Sequence, residues 1–544
     1  MIEIQKLRKS YPIAYRLLEA LPWGLSLLLI ISMIIWGGRF IVFEETTHPI
    51  ALVAFLLIMM YYIRWLVRGF EYATFTILAV FKLKQEWKIN YGQILHQFQG
   101  IQEFKTLSQQ RKNTLTKVKD LGVNDIIHRL ILPTYDESFE ILQETIKHLA
   151  SSNYDLSKIA LTIAWEQRKE DYFIPKAQKL KEQYKKIFWY ISITVHTLIP
   201  ENEFPWKWAN ISSSAKKEYQ KILDKFKTTA KNVCVTTLDA DSNLDTEYFN
   251  HMTYTYLVTP DREHKSYQPM IFFFNNFREA PFFSKVVSLC NSFWIMFNAM
   301  KKYGTKNFST HMQPLSGLLE TKFWSTETIV EDGHQYRRSF FAMEGNYSCI
   351  PVYTKVYQDC NQNDTLFATA QAQYKQMRRR SHWAEDIAYW TTAAYHERKQ
   401  ALKKGEIPIP IRRHIYELGR QLEWVVLWST LHLVLFGGIA LSYIQDRHVS
   451  SRLSLWWFVS VAMKIAYIVM IIVILLQLIF CPRERIPGNK RNKIKEFVKF
   501  ILLYIPLIWP ILVIFSWLPA FHTQLWLAFG RPMNTFNVTK KVRG

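Results

Sequence analysis

Long apolar runs lie towards both ends of this 544-residue chain and leave a polar, charged region between them. Two runs near the N-terminus cover residues 21–43 and 49–67, and three near the C-terminus cover 422–444, 455–480 and 497–529. A helix needs roughly 20 apolar residues to cross the hydrocarbon core of a membrane, and each run is about that long or longer. The pattern therefore predicts an integral, multi-pass membrane protein whose central region lies outside the bilayer.

The same pattern divides the chain into six segments. They are a basic arm with two transmembrane helices (1–69), linker helices (70–123), a central domain (124–398), an amphipathic interface linker (399–421), the C-terminal transmembrane helices (422–529) and a basic tail (530–544). Pro506, Pro510 and Pro519 interrupt the last apolar run. We expect that run to turn back as a tight or re-entrant hairpin, which is tolerated where protein buries the backbone. Three or four C-terminal crossings are therefore predicted.

Lysine and arginine residues near the ends of the apolar runs indicate the orientation in the membrane. The N-terminal arm carries Lys6, Arg8, Lys9 and Arg16, whereas the loop between the first two runs reads EETTH. Loops rich in lysine and arginine remain in the cytoplasm. We therefore expect the central region to be cytoplasmic, in a protein of the plasma membrane.

Within the central region, short apolar runs alternate with helical patterns. The runs HRLILPT, KIALTIAWE, WYISITVH and NVCVTTL are typical of strands, whereas SFEILQETIKHLAS and residues 175–186 and 212–227 show helical patterns. Strands that alternate with helices favour a parallel sheet, with ligands at the carboxyl ends of the strands. The sequence thus predicts an α/β domain.

Acidic residues follow three of these predicted strands. Asp136 and Glu137 follow LILPTY, Glu166 follows LTIAW, and Asp239 and Asp241 follow VCVTTL. Because residues i and i+2 of an extended chain point the same way, Asp239 and Asp241 can converge on one divalent cation. Acids also gather in solvated loops and turns, which remains the alternative for each position taken alone.

The formal net charge of the chain is +23. Much of the positive excess lies beside the apolar runs, so we expect anionic membrane lipids, and not nucleic acid, as the counterpart. The five cysteines show no C-x-x-C spacing. Neither a zinc site nor a disulfide framework is indicated.

The order of motifs over residues 125–400 resembles the family-2 glycosyltransferases of the GT-A fold. It is most similar to their membrane-embedded branch, which includes cellulose and hyaluronan synthases. PTYDE at residues 133–137 looks like the opening strand motif of that family, and LDAD at 238–241 looks like its metal and nucleotide-sugar motif. The resemblance implies a Rossmann-like cytoplasmic domain inserted between transmembrane helices. It assigns nucleotide-sugar binding to these residues: Thr134, Tyr135, Asp136, Glu137, Glu166, Lys207, Asp239, Gln376, Arg379 and Arg380.

VEDG at residues 330–333 resembles the Thr-Glu-Asp motif of the family, in which the last acid is the general base. The resemblance makes Asp332 the candidate base, with Glu331 beside it. We expect Asp332 in the first turn of a helix, where backbone N–H groups and the helix dipole favour a carboxylate. The two acids could instead serve only to cap that helix.

QMRRR at residues 376–380 resembles the Gln-x-x-Arg-Trp motif of the processive synthases, with Arg380 in place of the tryptophan. Arginine forks suit a diphosphate, and lipid headgroups are the rival ligand. Trp383 could supply an aromatic face for the acceptor sugar, or it could anchor the chain at the membrane surface.

FSTHMQPLSGLLE, at residues 308–320, resembles the acceptor-side segment of the family. It makes Ser309, Thr310 and His311 candidates for contacting the acceptor. A purely structural role is the alternative for His311.

The resemblance implies an inverting, metal-dependent glycosyltransferase that uses Mn²⁺ or Mg²⁺, held by Asp239 and Asp241, and a UDP- or GDP-sugar donor. The acceptor is expected to be a glycan or a lipid-linked sugar, as in the synthesis of a polysaccharide or a cell-surface glycan. The apolar runs could form a channel for a polymer, and an export or regulatory partner could act with the chain. A catalytically silent membrane scaffold with the same fold is the second hypothesis.

Overall fold

A computed structural model describes residues 2–37, 48–97, 125–135, 137–167, 170–197, 207–446 and 505–531, together with residues 461, 465, 468, 498, 502 and 533. Asp136 and most of the predicted span at 455–480 fall outside the described residues.

One mixed sheet of eight strands forms the centre of the described structure. Its strands are β1 (Ile127–Thr134), β2 (Ile159–Glu166), β3 (Tyr190–His196), β4 (Val233–Thr237), β5 (Asn243–Leu244), β6 (Lys265–Phe272), β7 (His311–Pro314) and β8 (Ser348–Tyr357). They lie in the order β3-β2-β1-β4-β7-β6-β8-β5.

Helices cover both faces of this sheet and extend from it. In the N-terminal half they are α1 (Ile4–Ser10), α2 (Pro12–Gly37), α3 (Pro49–Glu86), α4 (Tyr91–Gln97), α5 (Phe139–Ala150), α6 (Glu170–Tyr184) and α7 (Lys207–Phe226). In the C-terminal half they are α8 (Tyr248–Val258), α9 (Phe282–Ala299), α10 (Leu315–Glu320), α11 (Glu331–Ala342), α12 (Leu366–Ser381), α13 (Glu385–Lys404), α14 (Ile411–Asp446), α15 (Ile505–Leu512) and α16 (Leu518–Ala528). A π-helical turn, Val513–Trp517, joins α15 to α16.

The first half of the sheet is the predicted alternation of strands and helices. Strands β3, β2, β1 and β4 pair in parallel. Every residue of β1, β2 and β4 is buried, because helices cover the strands on both faces. The four predicted strands and the helices between them are therefore confirmed, and the carboxyl ends of β1, β2 and β4 lie at one edge.

The second half of the sheet departs from the predicted parallel arrangement. Strand β7 runs antiparallel to both β4 and β6, and β5 runs antiparallel to β8. Strands β5 and β7 have only two and four residues, too short to show a periodic pattern in the sequence. The prediction of a parallel sheet is therefore correct for the first half of the sheet only.

Three helices of the described residues are long and apolar enough to cross a membrane: Pro12–Ile35, Leu52–Glu86 and Pro510–Ala528. The first begins before the predicted run at residue 21, and the second continues beyond residue 67, so the predicted linker at 70–123 begins as part of α3. The predicted span at 422–444 lies inside α14, which starts at Ile411.

Two further sequence boundaries fall inside helices. The predicted end of the central domain at residue 398 lies within α13. Residues 505–528 are continuously helical through the π turn, so the predicted hairpin is not found in this described part of the last apolar run.

The N-terminal helix α1 packs on α13. Ile4 and Leu7 are buried in a cluster with Phe340, Tyr389 and other residues of α11 and α13. Arg8 also forms an ion pair with Glu385 at 2.7 Å. The arm that precedes the first apolar helix is therefore part of the packed structure around α11.

Candidate active site

A cavity of about 220 Å³, here called the polar cavity, lies at the carboxyl ends of β1, β2 and β4. It is lined by the following residues from the sequence prediction: Thr134, Tyr135, Glu137, Glu166, Lys207, Asp239, Asp241, Glu331, Asp332, Gln376, Arg379, Arg380 and Trp383. These residues come from widely separated parts of the chain. The fold therefore brings one predicted set of side chains to one place, as expected for an α/β sheet.

Two of the predicted site residues do not join this set. Asp136 lies outside the described residues. His311 lies on β7, is fully buried, and is not among the residues that line the cavity. Its Nδ1 lies 3.0 Å from the carbonyl oxygen of Ser309, and its ring stacks on Trp208 with the centroids 5.9 Å apart. These contacts favour a structural role for His311 over contact with the acceptor.

The β1 and β2 ends form one wall of the polar cavity. After β1, Glu137 Oε2 accepts a hydrogen bond from the backbone N–H of Tyr135 at 2.7 Å, which folds this loop back on itself. Glu166 is the last residue of β2 and is buried. Both strand ends present polar groups to the same cavity.

Asp239 and Asp241 lie in a turn after β4, which ends at Thr237. The backbone N–H of Ser242 donates to the carbonyl of Asp239 at 2.9 Å and closes this turn. The extended geometry used to predict their convergence is therefore wrong, although both side chains line the cavity. The Asp241 carboxylate accepts a hydrogen bond from the backbone N–H of Asp359 at 2.8 Å.

The Asp239 carboxylate is held by several side chains. Its Oδ1 forms an ion pair with Lys207, the first residue of α7. Its Oδ2 accepts hydrogen bonds from the hydroxyl of Ser309 and from Gln358 Nε2, the latter at 3.1 Å. Donors from three other segments of the chain thus fix the orientation of this carboxylate.

The chemistry of this pair of acids suits a hard divalent cation. Among the described residues no cluster of three or more His, Cys, Asp or Glu side chains could hold a metal alone. Mg²⁺ is commonly bound by one or two carboxylates, with substrate phosphates and water supplying the other oxygens. Asp239 and Asp241 fit this mode of binding, in which a diphosphate completes the site.

Asp332 lies in the first turn of α11, as predicted. Its Oδ2 accepts a hydrogen bond from the backbone N–H of Ser309 at 2.9 Å, and its Oδ1 accepts one from the backbone N–H of Gly333 at 2.7 Å. Glu331, its neighbour, is buried, and burial together with the charge of Asp332 raises the pKa of Glu331 well above its usual range. Glu331 is therefore the weaker candidate for the base.

The three consecutive arginines of α12 have different surroundings. Arg379 lines the polar cavity; burial lowers its pKa, while the charges of Glu331, Asp239 and Asp332 oppose that effect. Arg378 lies outside the polar cavity, with its guanidinium over the ring of Trp526 at 5.0 Å. Successive residues of an α-helix are rotated by about 100° around its axis, so Arg378 and Arg379 lie on different sides of α12.

The site also contains residues for which a different role, or no role, was predicted. Ser309 was expected to contact the acceptor, yet it bridges Asp239 and Asp332, with its backbone in the left-handed region at φ 52°. Gln358 follows β8, and its Nε2 lies 2.7 Å from Ser309 Oγ. In the sequence, the position of Gln358 directly after an apolar strand was the feature that could have indicated a place in the site.

A second cavity of about 290 Å³, here called the aromatic cavity, adjoins the polar cavity and extends among α3, α9, α14 and α15. Its aromatic lining residues include Trp65, Tyr72, Trp294, Trp390, Trp424 and Trp428. Phe308, Arg380 and Trp383 line both cavities. The two spaces therefore meet beside α12, and Trp383 lies at their junction with its ring 5.5 Å from that of Trp294.

Comparisons with known proteins identify no family for this chain. No family model matches it, and no curated protein matches it. A solved mannosyltransferase from Pyrobaculum calidifontis, in complex with GDP-Man and Mn²⁺, is 9% identical with a TM-score of 0.38; the match covers 84% of this chain and 99% of that one.

Two further solved structures are similar at the same distant level. Residues 1–349 of S. aureus TarS, in complex with UDP-GlcNAc, are 13% identical with a TM-score of 0.31; the match covers 75% of this chain and 93% of that one. GalNAc-T7 with UDP, GalNAc and Mn²⁺ is 10% identical with a TM-score of 0.28; the match covers 47% of this chain and 51% of that one. Likeness at these scores decides neither the family nor the activity of this chain.

Proposed function

We propose that this chain is an inverting family-2 glycosyltransferase that moves a sugar from a UDP- or GDP-sugar to a hydroxyl of a glycan or lipid-linked acceptor at the cytoplasmic face of a membrane. The observation that supports this proposal is the polar cavity. It combines two turn aspartates, a lysine, an arginine and an acid at a helix start, all at the carboxyl ends of parallel strands. A silent scaffold has no need of this convergence.

The donor is proposed to lie with its base against the β1 and β2 ends and its diphosphate beside Asp239 and Asp241. When bound there, Mn²⁺ or Mg²⁺ would neutralise charge on the departing diphosphate. Lys207 and Arg379 line the same cavity and would bind diphosphate oxygens. Lys207 is paired with Asp239, which holds its ammonium group beside the proposed diphosphate position.

Asp332 is proposed as the general base. It takes the proton from the acceptor hydroxyl while that oxygen attacks the anomeric carbon and the bond from this carbon to the diphosphate breaks. The two backbone N–H groups that hold its carboxylate fix its direction. The aromatic cavity meets the polar cavity at Trp383, so the acceptor would approach from that side.

The membrane role is the final part of the proposal. Apolar helices of the described residues flank the cytoplasmic domain on both sides in sequence. The aromatic cavity lies between these helices and the sheet, where an acceptor could enter from the bilayer. We infer a role in building a polysaccharide or cell-surface glycan, through single or repeated additions.

The test is the release of nucleoside diphosphate by the purified full-length protein in lipid. A panel of nucleotide-sugars is supplied with Mn²⁺ or Mg²⁺, with and without acceptor lipids and oligosaccharides. Metal-dependent release from one donor is expected, and Asp239→Asn should abolish it. Asp224→Asn is the matched control, because Asp224 is exposed on α7, away from the cavity, and its carboxylate accepts a hydrogen bond from Gln220 on the same helix. Silence of the wild-type protein with every donor and acceptor would favour the scaffold.

A further inference from the structure

The lining of the aromatic cavity carries more positive than negative charge. Among the described residues it contains four cationic side chains and one carboxylate: Lys306, Arg337, Arg380, Arg420 and Glu417. Charge in a space walled by tryptophans is weakly screened, because water and its high dielectric constant are largely excluded. The cations therefore determine which ligands this cavity accepts.

Two of these cations are matched by acids. Lys306 Nζ lies 2.8 Å from Glu417 Oε2. Arg337 Nη1 lies 2.9 Å from Asp386 Oδ2 and also donates to the carbonyl of Gly333 at 2.6 Å. Glu417 is also shared with Arg413 and Asp386 with His334, so each of these two cations lies beside an acid that has more than one basic neighbour.

Arg420 and Arg380 have other surroundings. Arg420 donates to the carbonyl oxygen of Tyr303 at 2.7 Å and shares the charge of Glu417 with Lys306 and Arg413. The Arg380 guanidinium lies over the ring of Phe308 at 5.0 Å, and its Nη1 is buried without a hydrogen-bond partner in the described part of the chain. A buried guanidinium nitrogen without a hydrogen-bond partner is costly unless a ligand supplies one.

The position of Arg380 indicates where such a ligand would bind. Arg379, its neighbour, lines the polar cavity but not the aromatic cavity, and the charges of Asp239 and Asp332 act on both arginines. Arg380 lines both cavities, together with Trp383. An anion on Arg380 would therefore lie between the donor site and the tryptophan-lined space.

We propose that the acceptor is a sugar that carries a negative charge, with a phosphate or carboxylate bound by Arg380 and its remaining part held in the aromatic cavity. This inference rests on the proposed function. The acceptor hydroxyl still attacks the anomeric carbon and gives its proton to Asp332, and the diphosphate still leaves the donor. The acceptor anion is bound and is not consumed.

Either a lipid-linked sugar phosphate or a uronic acid would supply this charge. Acceptors are therefore compared in matched pairs with the full-length protein in lipid. A sugar linked to a prenyl diphosphate is paired with the alkyl glycoside of the same sugar, and an oligosaccharide ending in a uronate is paired with its neutral counterpart. The measured quantity is kcat/KM for nucleoside diphosphate release as the acceptor concentration varies.

We expect at least one charged acceptor to exceed its neutral partner by about tenfold or more, as for a charge-assisted hydrogen bond. A preference for the diphosphate identifies the lipid source, and a preference for the uronate identifies the carboxylate source. Arg380→Met should reduce the ratio to near one, and Arg380→Lys should restore part of it. Arg378→Met, which removes the neighbouring arginine outside both cavities, should leave the ratio unchanged.

Two results would overturn the inference while leaving the proposed function intact. One is equal use of charged and neutral acceptors by the wild-type protein. The other is an Arg380→Met protein that keeps the charge preference but binds nucleoside diphosphate more weakly, which would place Arg380 at the donor. If no donor releases nucleoside diphosphate at all, it is the proposed function itself that fails.

Discussion

The backbone N–H of Ser309 donates a 2.9 Å hydrogen bond to Asp332 Oδ2, and the hydroxyl of the same serine donates to Asp239. One residue therefore connects the acid proposed as base with an acid proposed as metal ligand. The bridge requires a left-handed backbone, since φ of Ser309 is 52°. A serine accepts this conformation less readily than glycine does.

Ser309→Gly separates the two roles of this residue. The N–H to Asp332 and the backbone shape are kept, whereas the hydroxyl on Asp239 is lost. We expect the thermal unfolding temperature to stay the same or rise slightly, because glycine relieves the strain at positive φ. Nucleoside diphosphate release should fall on the order of tenfold at limiting Mn²⁺, consistent with one lost charge-assisted hydrogen bond. Normal metal dependence in this variant would contradict the bridging role.

Neighbouring acids at the start of α11 should respond differently to amide substitution. Asp332→Asn is expected to reduce turnover by about 10²- to 10⁴-fold, as for the loss of a general base. Glu331→Gln should retain most of the turnover, because burial already favours the protonated form of Glu331. Steady-state kinetics with one donor and one acceptor measure both effects. If Glu331→Gln reduced turnover more than Asp332→Asn, Glu331 would be the general base.

The same raised pKa makes stability depend on pH. Above the ordinary pKa of glutamate, about 4.3, the unfolded state releases a proton that folded Glu331 keeps. Stability therefore falls as pH rises through the window between the unfolded and the raised folded pKa. From pH 5 to pH 8 the thermal unfolding temperature of wild-type protein should decrease more than that of Glu331→Gln. Parallel curves for the two proteins would show that Glu331 ionises in the folded state.

Much of the first half of the domain was predictable because its chemistry is local in sequence. Strands β1 to β4 are apolar runs that end at turns, and the acids after them follow directly. The role of Ser309 could not be predicted from the sequence. Its bridge between Asp239 and Asp332 depends on a left-handed backbone conformation and on the position of α11 in the fold. The different environments of Arg379 and Arg380 follow from helical rotation, yet only the packing of α12 shows that Arg380 alone of the two also lines the aromatic cavity.

A buried ion pair anchors the helix that carries Asp332. His334 Nδ1 lies 2.7 Å from Asp386 Oδ1, and Arg337 Nη1 lies 2.9 Å from Asp386 Oδ2. Asp386→Ala should destabilise the protein by about 3–5 kcal/mol, because it leaves the Arg337 charge buried and uncompensated. Thermal unfolding in lipid measures this loss. The double variant Asp386→Ala with Arg337→Met should recover part of it, and no recovery would mean that the charge is not the cause.

A substitution at Gly333 of α11 tests the role of Trp383, because the two residues are adjacent in the fold. A Cβ at position 333 would lie 3.2 Å from Trp383 Nε1 and 3.3 Å from Arg337 Nη1, so the indole must move by a few tenths of an ångström. Alanine gains about 1 kcal/mol of helix propensity over glycine, which offsets the crowding. Gly333→Ala should therefore change the unfolding temperature little.

The functional effect of Gly333→Ala should fall on the acceptor, because Trp383 lies where the two cavities meet. We expect the acceptor KM to rise several-fold while the donor KM stays close to wild type. Gly419→Ala is the matched control, since a Cβ there meets no atom within 4 Å and adds only helix propensity. A rise in donor KM alone would place Trp383 against the nucleotide-sugar, and the acceptor would then have to enter the polar cavity by another route.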